Sequence, residues 1–297
     1  MTAAIAALPF RLFDLRVLRT VRLSPSFIRV TLGGAKLAEV SCGGRDQRVK
    51  LFFPHPHQDM PVLPEGGDGD WFAQWRAIDP SVRAVMRTYT VREHRKDAAE
   101  LDVDFAVHGP DGGPATQWVL RAAAGSRVGL LGPILENNGA VDFQPSQDTD
   151  WVLLTADETA LPAVEAILSW LPPAMLVRAW IEVSCAQDIR ELPTQAQAEI
   201  TWLVRDAAGA HKGNADITEE VDGAALVRAV RAAQLPDGKP YAWIAGESSV
   251  VRALRRQLVR ERGFEREAVV FTGYWRRGAG EDDLIAGRFN DTTSDED

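Results

Sequence analysis

An antiparallel β-barrel followed by an α/β domain with a mostly parallel sheet is the fold class this sequence predicts, and three observations carry it. The chain has 297 residues, comfortable for two domains that each bury a core of their own. Up to about residue 132 apolar residues alternate, as in Phe13, Leu15 and Val17 and again in Leu101, Val103, Phe105 and Val107, the period of a half-buried strand. From Trp151 onward, short apolar runs are followed by helical periods, the texture of strand-helix-strand units.

The first half is expected to hold six strands. The first runs through Phe13–Val21 and others lie at 27–32, 49–53, 88–91, 101–107 and 127–131, separated by Gly, Pro and Asp clusters. One helix, 114–123, interrupts them, and the Pro-, Gly- and Asp-rich stretch 60–70 reads as a surface loop. Residues 137–150 are polar and form the expected linker. The second half predicts strands at 151–156, 176–183, 200–204, 241–245 and 269–272. Its helices are expected from Leu161, with Val164, Ile167 and Leu168 on one face, at 223–233, and at 248–262, the last ended by Gly263. Ligands of such a sheet sit beyond the carboxyl ends of its strands. The domains are expected at 11–136 and 148–280, with a polar, acidic tail at 281–297.

Composition narrows the possible classes. Hydrophobic residues make up 45% and charged residues 25%, ordinary globular proportions. Cys42 and Cys185 are the only cysteines and have no metal-ligand spacing, so both are expected as free thiols in a reducing, cytoplasmic setting. The start lacks a basic segment and an uninterrupted apolar core, so no secretory signal is expected, and no window reads as a membrane span. A net charge of −9 argues against a nucleic-acid partner. His55 and His57 lack a third ligand nearby, so no metal site is expected. Trp71, Trp75, Trp170, Trp180 and Trp202 read as packing, and the arginines from Arg252 to Arg262 as a solvated helix face.

Four segments carry chemistry. In Arg87-Thr88-Tyr89-Thr90, strand alternation sends Arg87 and Tyr89 to one face and Thr88 and Thr90 to the other. A phenol can lie against a flat ring system and a guanidinium can fork onto a pyrophosphate, although an ordinary strand with an exposed Arg has the same pattern. The run from His108 and Gly109 through Gly112, Gly113, Pro114, Ala115 and Thr116 follows a strand and opens a helix, where backbone amides favour an anion; a capped glycine turn would look the same. Thr155-Ala156-Asp157-Glu158-Thr159-Ala160-Leu161-Pro162 ends the first parallel strand, and Trp243-Ile244-Ala245-Gly246-Glu247-Ser248 runs from a strand into a helix. Both fall where a dinucleotide meets an α/β sheet, and both are also good capping sequences.

In this order and on these elements, the segments resemble the siderophore-interacting proteins, a branch of the ferredoxin-reductase-like flavoproteins. The ending Gly273-Tyr274-Trp275-Arg276-Arg277-Gly278 strengthens the resemblance, which runs from about Leu15 to Arg277. It implies that 11–136 binds FAD and 148–280 binds NADPH or NADH. Tyr89 would then stack on the flavin, Thr90 bond its ring and take part in catalysis with Tyr89, and Arg87 position it. Gly113, Ala115 and Thr116 would hold the pyrophosphate, Asp104 and His108 would lie beside the FAD, and Gly109 would belong to the same cofactor site. Thr155, Asp157, Glu158, Thr159, Ala160, Gly246 and Glu247 would receive the nicotinamide nucleotide, and Tyr274 and Trp275 would lie near the flavin.

The resemblance further implies an NAD(P)H-dependent reductase that frees Fe(II) from a ferric siderophore, acting as a monomer without membrane association. Lys50 and Arg276 match the family's basic positions for an anionic chelate. The family also places a cation where this chain has Ile134, and Glu136 adds a negative charge close by. That departure leaves two alternatives open: a flavin reductase serving a quinone or redox protein, and a non-catalytic flavin- or siderophore-binding module. Arg178, Arg205 and Lys212 are the candidates for contact with a nucleotide 2′-phosphate.

Overall fold

The computed structural model describes residues 9–64, 71–107, 112–205 and 223–279. They divide into two compact units, Met1–Asp142 with Pro162–Trp170, and Phe143–Leu161 with Leu171–Asp297.

The strands of the first unit are β1 (Phe10–Ser24), β2 (Phe27–Gly33), β3 (Arg48–Phe53), β4 (Val85–Thr90), β5 (Glu93–Arg95), β6 (Glu100–Ala106) and β7 (Arg127–Pro133). They form one sheet in the order β4-β3-β7-β1-β2-β6-β5. All its pairings are antiparallel. The expected six strands are seven, because the three-residue β5 pairs with β6 across Glu93–Arg95; a strand that short has no readable period.

Strand β1 organises this sheet. Phe10–Arg16 pairs with β7, and Arg16–Ser24 pairs with β2. Register shifts between Val17 and Arg19 and between Arg22 and Ser24 bend and twist the strand. The sheet curls as a result: Tyr89 of β4 and Phe105 of β6 are separated by four strands in the sheet order, yet their ring centroids lie 4.4 Å apart. The curl encloses a core of Phe13, Leu15, Val17, Val30, Leu32, Leu51, Phe53, Val103, Phe105 and Leu130. Trp118 of α2 (Pro114–Val119) closes one end, 5.0 Å from Phe53. Helix α2 has only six residues, not the ten expected, so its dipole is too short to count as an anion site.

Helix α1 (Trp71–Ala77) was not apparent in the sequence. It is held by Trp75, whose indole nitrogen donates to the Ala84 carbonyl at 3.0 Å. Helix α3 (Leu161–Trp170) is buried at eight successive residues, as an apolar helix covered all round should be. Its one buried charge, Glu165, accepts from Arg92 at 2.5 Å and lies 4.0 Å from Arg29. Trp170, expected as packing, is exposed instead, with the Arg45 guanidinium 5.1 Å from its ring.

The second unit holds β8 (Trp151–Ala156), β9 (Leu176–Val183), β10 (Gln197–Val204), β11 (Pro240–Glu247) and β12 (Val269–Trp275), with α4 (Ala224–Ala232) and α5 (Ser248–Arg256). All pairings are parallel, in the order β10-β9-β8-β11-β12. Strand β8 is buried at every residue, as a central parallel strand must be. The order reverses between β8 and β11, which opens a crevice at their carboxyl ends. Helix α5 is shorter than expected and runs into a wider π-turn, Gln257–Glu261. Arg262 is not merely solvated, since it donates to the Arg231 and Ala233 carbonyls at the end of α4, groups that a helix leaves unpaired. Arg255 likewise lies over the Phe271 ring at 4.3 Å. No helix among the described residues is long and apolar enough to cross a membrane.

Phe53 touches Tyr89, Phe105 and Trp118 and is fully buried. Phe53→Ala should therefore cost about 3–5 kcal/mol, read as a lower urea midpoint for the first unit's transition at unchanged slope.

Candidate functional site

The crevice of the second unit is built around one carboxylate. Asp157, the first residue after β8, is buried and accepts through both oxygens. Oδ1 takes the Thr159 amide at 2.9 Å and its hydroxyl. Oδ2 takes the Glu247 amide at 2.9 Å and the Trp275 indole nitrogen at 2.8 Å. Three strand ends thus meet on one side chain. Gly246 makes this possible: its φ is +144°, and a Cβ there would lie 2.5 Å from Asp157 Oδ2. Burial, with the neighbouring Glu158 charge, pushes the Asp157 carboxyl up to about 6 despite these hydrogen bonds.

Glu247 caps α5 by accepting from the Ser249 and Val250 amides at 2.6 and 3.2 Å, and the Arg277 amide also reaches it. Burial opposes its charge, but these bonds outweigh burial and hold the carboxyl below its usual range. The Ser248 hydroxyl donates to the Trp275 carbonyl at 2.9 Å, tying α5 to the end of β12.

Glu158 is turned inward. Its two oxygens accept from Arg205 at 2.9 and 2.7 Å, and the Ser184 hydroxyl donates to it at 3.2 Å. Arg205 also bonds Glu182 Oε1 at 3.1 and 3.0 Å. This corrects the expectation for Arg205 as a free phosphate ligand, since it neutralises two buried carboxylates. Arg178 is likewise paired, with Glu199 at 2.9 Å, and Lys212 lies outside the described residues. Thr155 and Ala160 have fully buried side chains; only Thr159 in this segment is partly exposed. The Thr155, Glu158 and Ala160 side chains are thus turned inward, with their main-chain groups at the turn.

In the first unit, the register sets Tyr89 opposite Val49 and Thr88 opposite Lys50, so the two faces separate as alternation requires. The Tyr89 ring rests on Phe105 and Phe53 and is partly exposed. Thr90, on the other face, is buried. Arg87 is half-buried and donates to the Met86 carbonyl at 2.7 Å. Lys50 donates to the Thr88 hydroxyl at 2.5 Å. Gly113 is exposed and a Cβ there would meet nothing within 4 Å, whereas Ala115 is packed into the barrel core and Thr116 is half-buried. His108 and Gly109 lie outside the described residues.

Asp104 is a further correction. Its carboxylate is buried in a bidentate pair with Arg29, at 2.6 and 2.8 Å, so it holds strands together where a ligand contact was expected. The register partner Arg29↔Asp104 and the Arg92–Glu165 pair had no signal in the sequence. The Glu158–Arg205–Glu182 cluster left one, a charged residue inside the apolar run Trp180-Ile181-Glu182-Val183. Tyr274 and Trp275 end β12, both half-buried, and Arg276 is exposed after them.

A partly open tyrosine ring, an adjacent threonine and an unobstructed glycine are features that a flavin dinucleotide site can use. Two family models cover these units: the siderophore-interacting FAD-binding domain matches residues 16–137, and the siderophore-interacting protein model matches residues 149–278. Ferric vibriobactin reductase ViuB of Vibrio cholerae is 33% identical over 276 residues, covering 92% of this chain and 91% of that protein. The chain belongs to the siderophore-interacting protein family. Another relative, the NADPH-dependent ferric-chelate reductase of Escherichia coli, is 29% identical over 89% of this chain and 93% of its own length. The solved siderophore utilization protein from T. fusca is 36% identical, with a TM-score of 0.76 and coverage of 92% and 95%.

Two predictions follow from the Asp157 geometry. Gly246→Ala forces a side chain into both a disfavoured φ and the Asp157 carboxylate, and should cost about 2–4 kcal/mol in thermal or urea unfolding. The pH dependence has a definite sign. Between the ordinary aspartate range, about 4, and the folded value of about 6, the folded protein holds a proton that the unfolded chain has released. The stability contributed by Asp157 therefore falls as pH rises through that window and is level above it. Near-UV circular dichroism should show a Trp275-dependent titration near pH 6, absent in both Asp157→Asn and Trp275→Phe.

Proposed function

We propose that this family member is an FAD-dependent NAD(P)H oxidoreductase that reduces ferric siderophores and so releases Fe(II). The observation that carries this reading is the kinship, along nearly the whole chain, to a protein named ferric vibriobactin reductase, joined to the Tyr89-Thr90 pair on β4. Bound FAD would convert a two-electron hydride donor into a source of single electrons, which ferric iron requires. Iron held by hard oxygen ligands binds less firmly once reduced to Fe(II), so the chelator need not be destroyed.

The protein's own residues have distinct parts in this scheme. Tyr89 offers one ring face to the flavin while Phe105 and Phe53 fix the other side. The Thr90 hydroxyl is a hydrogen-bonding group for the flavin ring, and Arg87 positions it. The amides around Gly113, Ala115 and Thr116, with His108 and Gly109 preceding them, would face the pyrophosphate. In the second unit the amides after β8 and β11 receive the nicotinamide nucleotide, while Asp157 keeps those two turns and Trp275 in register. Lys50 and Arg276 would attract an anionic chelate. Two free thiols and a dependence on reduced nicotinamide support a cytoplasmic setting.

A second reading has one observation in its favour. Ile134 stands where the family places a cation and packs against the barrel core, so a quinone or redox protein as acceptor would not miss the charge.

Flavin released from the purified protein should be FAD; FMN, or no flavin after reconstitution, overturns the proposal. Thr90→Val should slow flavin reduction several-fold, as expected for losing one hydrogen bond worth about 1 kcal/mol, with little change in flavin affinity. Lys50→Ala and Arg276→Ala should raise KM for an anionic ferric chelate, and the loss should shrink as salt screens the charge. Normal chelate kinetics in both variants at low ionic strength would move the search to quinones and redox proteins.

A further inference from the structure

We propose that the acidic tail of this chain, residues 281–297, docks along an arginine stripe on α5 and the π-turn that extends it. Arg252, Arg256 and Arg260 are exposed and spaced four residues apart, so each stands about one turn beyond the last on one helix face. They are like charges in a row. Neighbours of this kind repel and weaken the helix that carries them unless an anion covers them, and none of the three makes an ion pair with another described residue. Glu261, the acidic residue closest in sequence, is engaged with Arg231 at 3.3 Å.

The imbalance extends beyond the stripe. Residues 223–279 contain eleven arginines and lysines against five acidic residues, in a chain whose net charge is −9. Residues 280–297 reverse the ratio, with seven acidic residues and one cation, Arg288. A segment tethered to the surface it complements is present there at an effective concentration that a separate molecule has to match. Charge complementarity within one chain therefore favours an internal partner.

The tail also leaves the fold at the right place. The hydroxyl of Ser248, the first residue of α5, donates to the carbonyl of Trp275, the last residue of β12, so the chain beyond β12 starts beside the helix start. From Ser248, Arg252 and Arg256 stand about 6 and 12 Å along the axis, and Arg260 about 18 Å. A turn bridges Arg276 to Ala279, which keeps Ala279 near that point. The four residues from there to Asp283 span up to about 14 Å, enough for Glu281, Asp282 and Asp283 to meet Arg252 and Arg256. Asp291, Asp295, Glu296 and Asp297 then have ample length for Arg260. Between the two acidic clusters, Leu284, Ile285 and Phe289 provide apolar contact for Phe271, which is exposed beside α5 with Arg255 over its ring.

Trypsin tests the docking in the full-length protein, because Arg288 is the one cleavage site within 281–297 and lies between the two acidic clusters. At low salt, cutting after Arg288, followed by mass spectrometry as loss of 289–297, should be at least fivefold slower than in a free peptide of the tail sequence. The difference should vanish at high salt, where the attraction is screened. A triple variant carrying Arg252→Gln, Arg256→Gln and Arg260→Gln should be cut at the peptide's rate even at low salt. If that variant does not fold, Glu281→Gln with Asp282→Asn and Asp283→Asn, which leaves the helix unaltered, should lose the protection instead. Cutting of the unaltered tail at the peptide's rate overturns the proposal and gives the stripe to a separate acidic molecule. Undiminished protection in a folded variant overturns it as well. Protection that grows with protein concentration does the same, because the tail bound is then that of a second copy.

Discussion

The carboxylate of Asp157 is the constraint on which the second unit's functional end depends. Parallel strands leave their carboxyl ends as separate turns, each with unpaired amides, and nothing in the sheet ladder fixes one turn against the next. Here a single side chain accepts from the turn after β8, the turn after β11 and the indole that ends β12. Keeping a negative charge so enclosed is unfavourable, which is why its proton affinity is raised. The four bonds it accepts are what the fold gains from that arrangement. The absence of a side chain at Gly246 is part of the same device, because the approach of the β11 turn would otherwise be blocked.

A different principle shapes the first unit, where curvature does the positioning. Tyr89 is presented by a strand whose sheet neighbour among the described residues is β3 alone, yet its ring is backed by Phe105 from the far side of the curl. An edge strand alone would leave that ring free to turn. The bulges in β1 supply the bend, the aromatic cluster converts it into a fixed ring plane, and Thr90 follows on the opposite face. Buried charge pairs such as Arg29–Asp104 then brace strands that carry no ligand contact themselves.

Most of this fold was legible in the sequence, and the reasons are local. Alternation at Phe13–Val17 and Leu101–Val107, and the apolar run at 151–156, reflect single-strand environments that any window can report. Helix α1 escaped notice because it has seven residues and follows a Gly- and Asp-rich stretch, and β5 because it has three. The site was legible as motifs and illegible as partners. Asp157 and Glu158 stand side by side in sequence, but one accepts from a tryptophan 118 residues away and the other from an arginine 47 residues away. Such pairings are decided by strand order, which no short window contains. The same gap explains why Arg205 looked available for a phosphate and Asp104 for a flavin.

The way β1 divides its pairing also governs how the first unit can be made. Its second half closes a tight hairpin with β2 as soon as both are synthesised, a local contact that forms quickly. Its first half waits for β7, since Phe10 pairs with Pro133, and closing so long a loop must precede any gain from the ladder. Throughout that interval one strand edge stands bare beside Phe13 and Leu15, a surface on which growing chains can join to one another. Arg11, Asp14 and Arg16 are spaced along this edge, and charges so placed discourage that association. In the finished barrel Arg11 and Asp14 find partners in Glu39 and Arg127. Charges that guard the nascent strand thus end as surface ion pairs, contributing little to the stability of the product and much to its chance of being formed.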